Sequence, residues 1–343
     1  MFRKKQISTL HSLLRQKAAG STAKILLPES TDARVLEAAL IAINENVCNI
    51  CLLGSEKDYA GIIPKKYLSK IEFIDKSNKQ LQLKYASKLY ELRAGKGMTL
   101  DEAMQKITDP MYFSILALKC GDVNGVAAGA VTHTADVLRP AFQIIKAKEG
   151  VEVVSSVFAM DTKNLNFGEN GILILGDCGV VENPTDNELA CIAIESAKTA
   201  KEVFDIVDPK VALLSYSTKS NAEKVSEQIQ KVKSAFLKVR RKNSALKIDG
   251  ELQVDSALVP EVAKLKCPHS AIGGKANVLV FPNLDSGNIS YKLAARVAGA
   301  ETVGPILQGL NAPVNDISRG ATAEEIFMAI CVTAIQADAN KNK

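Results

Sequence analysis

Apolar runs of strand length alternate with amphipathic helical segments along nearly the whole chain. The short runs are apolar at successive positions, which is typical of strands covered on both faces. Such an alternation predicts parallel sheets flanked by helices. The pattern predicts strands at 24–27, 47–53, 71–74, 125–131, 151–158, 171–175, 211–215, 246–252, 278–281 and 302–307.

Several of the intervening segments carry helix signals. Residues 32–46 place their apolar side chains on one stripe, and the Thr-Asp-Asn-Glu sequence at 185–188 is a capping box that predicts a helix over 186–204. A last helix is predicted over 323–337. The first twenty residues are basic and amphipathic; we expect them to form the first helix of the fold, with a transit peptide as the alternative.

Length and composition favour two globular domains. At 343 residues the chain exceeds the size of a typical single core, and its 47% hydrophobic and 24% charged residues suffice for two interiors. No run of about 18 apolar residues occurs, so we expect no membrane partner. The net charge of +5 is spread along the chain, and the basic stretch 238–242 lies on a predicted helix, so we expect no nucleic-acid partner.

The seven cysteines lie mostly in apolar runs, where a free thiol behaves as a small hydrophobe. This usage predicts a reducing compartment and a cytoplasmic location. Cys48 and Cys51 have the spacing of a redox pair, but an odd offset in a strand points two side chains to opposite faces. We therefore expect no redox or metal role for them.

Several familiar motifs are absent from the chain. The first predicted strand leads into Pro28-Glu29-Ser30 rather than a glycine-rich dinucleotide fingerprint, and the chain has no Walker A sequence, H-E-x-x-H helix or G-x-S-x-G elbow. What remains is a set of strand ends carrying polar and cationic groups. In open α/β sheets, ligands bind at the carboxyl ends of the strands.

One candidate site is the strand-to-helix junction within 125–140. Free backbone N–H groups and the helix dipole at such a junction would suit an anion. Thr132 and Thr134 are candidates for substrate binding, with helix capping as the alternative. Arg139 has the planar guanidinium that clamps phosphate, with a surface salt bridge as its alternative, and His133 is expected to be structural.

A second candidate site is the loop before the last predicted helix. Ser318 and Arg319, followed by Gly320, offer a hydroxyl, a guanidinium and backbone donors to one anionic centre. Glu325 lies three residues after Thr322, so its carboxylate either takes part in catalysis or closes a capping box.

Motifs distributed over the chain match one known family. They are the stretches 27–29, 32–34, 91–93, 134–140, 249–253, 274–278, 281–282 and 304–320. By these motifs the chain resembles the phosphate acetyltransferase, or phosphotransacetylase, family over essentially its whole length.

The resemblance implies a particular architecture. It implies two three-layer α/β/α domains with mainly parallel sheets and a cleft between them, similar to the isocitrate dehydrogenase-like fold, and a homodimer. We predict a discontinuous first domain of residues 1–150 plus 303–343. Residues 151–302 are then the second domain, which we expect to carry the dimer interface.

The resemblance also implies a reaction. Acetyl would pass between acetyl phosphate and coenzyme A, with release or uptake of inorganic phosphate, by direct attack in a ternary complex. The base that removes the thiol proton falls on Glu325, where the family usually has aspartate. Arg319 would neutralise developing charge or hold coenzyme A, and Ser318 would donate to the oxyanion or the leaving phosphate. If Glu325 is not the base, Asp316 or arginine-assisted ionisation of the thiol is the alternative.

The remaining site residues follow from the same resemblance. Arg93 and Arg139 would bind the phosphoryl group, Arg34 would contact coenzyme A, and Lys275 is a weaker candidate for that contact. A free thiol has a pKa of about 8.5 and needs help to ionise at neutral pH, which agrees with a carboxylate and arginines at the site. We expect no metal and no tightly bound cofactor, with coenzyme A as a substrate.

Three alternative functions remain open. The first is a non-catalytic acetyl-CoA sensor, which the replacement of the family's aspartate by Glu325 favours. The second is a phosphate butyryltransferase-like acyl specificity. The third is an NAD-dependent dehydrogenase of similar fold, with Asp249, Glu251 and Asp255 around a metal, although strand-end carboxylates of this kind are expected to be hydrogen-bonded instead.

Overall fold

A computed structural model describes residues 9–220 and 225–341. The chain divides into two compact units. The first unit comprises residues 14–148 together with the described residues from 310 onward, and the second comprises residues 149–309 together with the described residues up to 13. The amphipathic N-terminal segment forms a helix from residue 9, and the part of that prediction on residues 1–8 lies outside the described residues.

The elements of the first unit alternate along the chain as the sequence predicts. Helix α1 (Thr9–Ala18) begins the described chain, and the division between the two units falls within it. The elements that follow are, in order, β1 (Lys24–Leu27), α2 (Ala33–Asn44), β2 (Asn49–Leu53), α3 (Lys65–Leu68), β3 (Ile71–Ile74), α4 (Lys79–Arg93), α5 (Leu100–Lys106), α6 (Pro110–Lys119), β4 (Gly125–Ala128) and α7 (Thr134–Pro140). Strand β11 (Val314–Asp316) and helix α13 (Ala323–Lys341) complete this unit at the C-terminal end of the chain.

The elements of the second unit lie between those two parts. In order, they are β5 (Ser155–Asp161), β6 (Ile172–Gly176), α8 (Asp186–Phe204), β7 (Lys210–Leu214), α9 (Glu227–Lys242), β8 (Lys247–Leu252), α10 (Val254–Leu258), α11 (Pro260–Lys266), β9 (Val278–Val280), α12 (Leu284–Val297) and β10 (Glu301–Gln308).

The first sheet is wholly parallel, with the strand order β11-β4-β1-β2-β3. All residues of β4 are buried, because the sheet is covered on both faces. Helix α13 packs against α2 and β4 and is buried along most of its length. The sequence analysis missed β11, which pairs with β4 through Val314 opposite Val126 and Asp316 opposite Ala128.

The second sheet has the strand order β10-β5-β6-β9-β7-β8. Strand β5 is antiparallel to both of its neighbours, and the other pairs are parallel. The prediction of an α/β fold with two mainly parallel sheets is confirmed. Strand β10 runs through the predicted boundary at 302/303 and pairs with β5 at residues 301–303 and 306–308, with a register shift between the two stretches.

The predicted helices agree with the structure where start signals are strong. Helix α8 has the predicted bounds of 186–204, and Thr185 and Glu188 form its capping box. The last helix begins at Ala323 as predicted and continues to Lys341. Within the described ranges, no helix is both long and apolar enough to span a membrane.

Candidate active site

Three loops meet at one edge of the first sheet. They follow β1, β4 and β11, which are neighbouring parallel strands, so their carboxyl ends lie side by side. Glu29 comes just after β1, residues 129–134 follow β4, and Asp316 ends β11 and leads into Ser318 and Arg319.

The carboxylate of Glu29 organises the loop after β4. One oxygen, Oε2, accepts the backbone N–H groups of Gly129 and Ala130, each at 2.7 Å. The other, Oε1, accepts those of Val131 at 3.0 Å and Thr132 at 2.7 Å. The expectation of free N–H groups at this junction is therefore wrong for residues 129–132, because a buried side chain of the protein already fills the anion-binding backbone.

Gly129 lets this loop approach β11 closely. Its φ is +116°, a conformation that residues with a Cβ rarely adopt. A Cβ at this position would lie 2.4 Å from the backbone oxygen of Ile317 and 2.5 Å from Oδ1 of Asp316. Only glycine allows the two strand ends to come together in this way, and the strand therefore ends at Ala128 rather than at the predicted residue 131.

Arg34 joins the loops after β4 and β11. Its Nη1 donates to the backbone oxygens of Arg319 and Ala321, both at 2.8 Å, and its Nη2 donates to that of Ala130 at 2.9 Å. Asp32 accepts from Nε at 3.1 Å and from Nη2 at 2.9 Å. All five N–H donors of the guanidinium are thus engaged within the protein, and the predicted contact between Arg34 and coenzyme A remains a prediction.

The loop that Arg34 holds carries Ser318 and Arg319, both exposed. Nη1 of Arg319 lies 3.5 Å from Nε2 of His133, which is also exposed. The structure therefore brings together the two candidate segments that the sequence identified separately. The hydroxyl of Ser318 accepts a long hydrogen bond, of 3.4 Å, from the backbone N–H of Gly320.

Thr134 donates from its hydroxyl to Oδ2 of Asp316 at 2.7 Å. The residue at the N-cap of α7 is His133, without a side-chain capping bond, so the capping alternative for Thr132 and Thr134 is wrong. Asp316 is buried, and its Oδ1 has no hydrogen-bond partner among the described residues. Burial raises the pKa of Asp316 to about 6; the hydrogen bond from Thr134 lowers it, and the charge of Glu29 raises it.

Glu325 forms the capping box that the sequence offered as an alternative. Its Oε2 accepts from the backbone N–H of Thr322 at 2.7 Å and from the Thr322 hydroxyl at 3.0 Å. The same hydroxyl accepts from the backbone N–H of Glu325 at 3.3 Å. The side chain is exposed, and its assignment as the base remains a prediction.

The charges of Arg93 and Arg139 both act on Tyr112. Burial raises the pKa of the Tyr112 hydroxyl, and the charges of Arg139 and Arg93 act in the opposite direction. Arg139 is exposed and pairs with Asp136 at 3.1 Å, as its salt-bridge alternative predicts. Arg93 ends α4, and its Nε is buried without a hydrogen-bond partner among the described atoms. A buried polar atom without a hydrogen-bond partner is uncommon in native proteins.

The remaining candidates lie in the second unit. Lys275 is exposed in the loop before β9. Asp249 pairs with Lys219, and Asp255 pairs with Lys266 at 2.7 Å, so these acids are neutralised by lysines. Glu251 accepts the backbone N–H of Ser220 at 2.6 Å. Across the described ranges, no group of three or more His, Cys, Asp or Glu side chains is placed to hold a metal ion.

The cysteines are mostly buried. All seven are free, and six of them are buried. Burial raises the pKa of Cys48 and of Cys51 to about 12, so neither forms a reactive thiolate at neutral pH.

Comparison with known proteins agrees with this arrangement. The family model described as "Phosphate acetyl/butaryl transferase" matches residues 9–334. The chain belongs to this family. The resemblance predicted from the motifs is confirmed.

Curated relatives in this phosphate acetyl/butaryl transferase family match almost the whole chain. The phosphate acetyltransferase of Thermoanaerobacterium thermosaccharolyticum is 44% identical over 331 residues, covering 96% of this chain and 100% of the relative. That of Acetivibrio thermocellus is 45% identical over 322 residues, covering 94% and 96%.

Solved structures of phosphotransacetylases share the fold. The enzyme from Streptococcus pyogenes superposes with a TM-score of 0.89 at 40% identity, covering 98% of this chain and 100% of that one. The EutD phosphotransacetylase from Staphylococcus aureus gives a TM-score of 0.85 at 39% identity, covering 96% and 98%.

Proposed function

We propose that this protein is a phosphate acetyltransferase, which catalyses the reversible transfer of acetyl between acetyl phosphate and coenzyme A. The observation that carries the proposal is the similarity to proteins named phosphate acetyltransferase at 44% and 45% identity over nearly the full chain. The edge of the first sheet supports it, because the hydroxyl of Ser318, the guanidinium of Arg319 and the buried carboxylate of Asp316 meet there, and donors of the first two kinds stabilise charge that develops during acyl transfer.

The proposed chemistry is a single displacement without an acyl-enzyme. The thiolate of coenzyme A attacks the carbonyl carbon of acetyl phosphate, the bond from that carbon to the phosphate oxygen breaks, and phosphate leaves. Ser318 donates to the oxyanion or the leaving phosphate, and Arg319 neutralises the charge that develops. Holding both substrates in register can supply roughly 7 to 11 kcal/mol of the barrier.

Arg93 and Arg139 bind the phosphoryl group in this proposal. The charges of both guanidinium groups act on the Tyr112 hydroxyl, and a guanidinium binds phosphate through charge-assisted hydrogen bonds. Arg93 contributes the buried and unpaired Nε, whereas Arg139 would exchange its exposed partner Asp136 for phosphate. Thr132 and Thr134 complete the substrate-binding set. Arg34 and Lys275 are the residues that contact coenzyme A in this proposal.

A homodimer through the second unit belongs to the same proposal. Helix α12 carries Ile289, Leu293 and Val297 one turn apart, and these side chains are 63%, 60% and 79% exposed. Such a stripe suits the self-complementary interface of a two-fold dimer. Light scattering should give twice the monomer mass for the native protein, whereas Leu293→Glu should give a monomer; an unchanged mass for the variant would exclude this face.

A cytoplasmic location is also proposed. The free thiols support it, because buried and unpaired cysteines are typical of proteins kept in a reducing compartment.

Incubation of the purified protein with acetyl phosphate and coenzyme A tests the activity. Formation of acetyl-CoA, followed by thioester absorbance, is expected, and butyryl phosphate in a parallel reaction measures the acyl preference. A natively melting protein that forms no thioester from either substrate would contradict the proposal and favour a binding role.

A further inference from the structure

The second unit contains a cavity that is lined by none of the residues proposed to bind acetyl phosphate or coenzyme A. Its volume is about 490 Å³. Its walls come from α9, from β8 at the edge of the second sheet, from Lys219 in the loop after β7, and from residues 266–271 at the end of α11. We propose that this cavity binds an organic phosphate, which is a phosphate group attached to an apolar or aromatic body. The inference does not depend on the proposed acetyltransferase activity.

The size and the lining of the cavity suit a small organic ligand. Pockets for such ligands usually measure about 300 to 1,000 Å³ and are mostly apolar, with a few polar groups that orient the ligand. Phe236, Ile248 and Pro268 supply apolar surface to this cavity. A ligand that buries only a phosphate would leave this apolar surface unused, so we expect the ligand to carry a larger body.

The ionisable side chains of the wall are mostly cationic. Among the described residues they are Lys219, Arg240 and Lys266, together with His269 and one acid, Asp249. Asp249 pairs with Lys219, so its negative charge is compensated within the wall. The remaining positive charge favours an anionic ligand.

Both lysines of the wall are held by other groups of the protein. Nζ of Lys219 donates to the backbone oxygen of Gly250 at 2.8 Å and lies 5.0 Å from the centre of the Phe236 ring. Nζ of Lys266 pairs with Asp255 at 2.7 Å. Because each lysine already has a carboxylate partner, we do not assign the main contact with the ligand to either of them.

Arg240 is the wall cation that has no carboxylate partner among the described residues. Its Nη1 donates to the backbone oxygen of Ser244 at 3.3 Å, which leaves four of its five N–H groups for a ligand. The planar guanidinium matches a phosphate group through two parallel hydrogen bonds. Phe236 lies four residues earlier in α9, so the two side chains share one face of the helix. A ligand with its phosphate on Arg240 would therefore place its body along Phe236.

His269 supplies a second donor from a different segment of the chain. It lies in the stretch that follows α11 and lines the same cavity. A neutral imidazole donates one N–H group and a protonated imidazole donates two, so either form can bind a phosphate oxygen. Donors from α9 and from the stretch after α11 would thus hold one phosphate between them.

A local role of Arg240 has to be separated from ligand binding. Arg240, Arg241 and Lys242 form the last turn of α9, where cations interact favourably with the helix dipole. Arg241 has the same charge in the same turn, but it is not part of the cavity wall. Arg241→Gln is therefore the matched control for Arg240→Gln.

The test follows the signal of His269 by nuclear magnetic resonance. The chain has three histidines, so the imidazole signals are few and can be assigned by replacing each histidine with glutamine. We expect adenosine monophosphate, used as the probe, to shift the His269 signal along a saturable binding curve. Adenosine lacks the phosphate and inorganic phosphate lacks the body, so each should bind roughly 10-fold more weakly or less.

The variants test whether the probe binds through Arg240. Arg240→Gln should weaken the binding of adenosine monophosphate by roughly 10-fold or more, because charge-assisted hydrogen bonds are lost. Arg241→Gln should bind the probe like the native protein. Both variants should form acetyl-CoA at the native rate. If Arg240→Gln does not fold, Arg240→Lys replaces it, since lysine keeps the charge and loses the planar fork; weaker binding of the probe is again expected.

Four outcomes would overturn the inference. The first is the absence of a saturable shift of His269, and the second is a shift of His133 alone, which would place the probe at the edge of the first sheet. The third is an equal loss of affinity in Arg240→Gln and Arg241→Gln, which would indicate a general effect of charge. The fourth is equal affinity for inorganic phosphate and adenosine monophosphate, which would show that the body is not bound. A protein that forms no thioester contradicts the proposed function and leaves these binding results unaffected.

Discussion

Oε1 of Glu29 accepts the backbone N–H of Thr132 at 2.7 Å, and this bond ties the end of β1 to the loop that carries Thr134. The carboxylate acts here as a built-in anion, because its two oxygens together engage four consecutive N–H groups. The loop therefore has its shape before any phosphate arrives. The four N–H groups already bind the carboxylate of Glu29. We therefore expect the phosphate of the substrate to bind arginine side chains instead.

Replacement of Glu29 by glutamine tests this role. The amide nitrogen would face two backbone N–H groups as a donor, so we expect the free energy of unfolding to fall by about 1 to 3 kcal/mol. Activity should fall as well, because Thr134 loses its fixed position. Denaturant unfolding and kcat measure the two effects. An unchanged free energy of unfolding in Glu29→Gln would show that the hydrogen bonds between Glu29 and the backbone N–H groups of residues 129–132 do not stabilise the fold.

Replacement of Arg34 by lysine separates two roles for this residue. The single ammonium of lysine cannot bridge the backbone oxygens of Ala130, Arg319 and Ala321. If Arg34 serves to hold the two loops together, kcat should therefore fall even when both substrates are saturating. A contact to coenzyme A alone would raise only the KM for coenzyme A. Steady-state kinetics with each substrate varied in turn distinguishes the two results.

Arg93→Ala and Arg139→Ala should each raise the KM for acetyl phosphate more than that for coenzyme A. The loss of one charge-assisted contact corresponds to about 1.5 to 3 kcal/mol. We expect the larger increase in KM for Arg93→Ala. The Nε of Arg93 is buried and unpaired among the described residues, whereas Arg139 forms a solvent-exposed ion pair with Asp136. Equal changes in both KM values would remove these arginines from the phosphate site.

Asp316→Asn should stabilise the protein at pH 7. The carboxyl group ionises at 3.8 in its reference state and at about 6 in the folded protein, so the folded state holds a proton that the unfolded chain has lost between these values. Stability from this group therefore falls as the pH rises through that window, by about 3 kcal/mol for a shift of about two units.

We expect Asp316→Asn to melt at a higher temperature than the native protein at pH 7, and we expect this difference to become smaller toward pH 4. Lower stability at pH 7 would mean that the ionised carboxylate is better solvated than its burial indicates.

Chelation should leave the activity unchanged. The proposed displacement needs no Lewis acid, and the acidic residues of β8 and its flank pair with lysines. The measurement is kcat before and after dialysis against EDTA, with a divalent ion added back as the control. If chelation abolishes activity and the divalent ion restores it, the hypothesis of a metal site at Asp249 would be supported.

The sequence predicts most of the fold because buried parallel strands are apolar at every position. Each of the ten predicted strands is present, with ends shifted by a few residues. Strand β11 was missed because it contains only three residues, of which Asn315 and Asp316 are polar. Asn315 is nonetheless buried, where it donates to Thr333 at 2.9 Å and to Gln336 at 2.8 Å, a long-range pairing that no local pattern reveals.

The candidate site was predictable as a set of residues and not as a set of contacts. The motifs identified Thr134, Ser318 and Arg319, and the structure places them at one edge of the first sheet. The hydrogen-bond partners of the carboxylates could not be predicted from the sequence. Glu29 binds residues about 100 positions away, and Asp316 binds Thr134, which is 182 positions away. The capping box of Glu325 was visible in the sequence, because it is a local contact.

The position of β11 has a consequence for synthesis on the ribosome. Strands β1 to β4 leave the ribosome early, yet the outer edge of β4 stays without its partner until residues 314–316 follow, after the whole second unit has been translated. At about 5 to 20 residues per second, this wait lasts on the order of ten seconds. During it the nascent chain exposes an open strand edge and lacks Asp316, Ser318 and Arg319, so the proposed site cannot assemble before residue 319 has been translated.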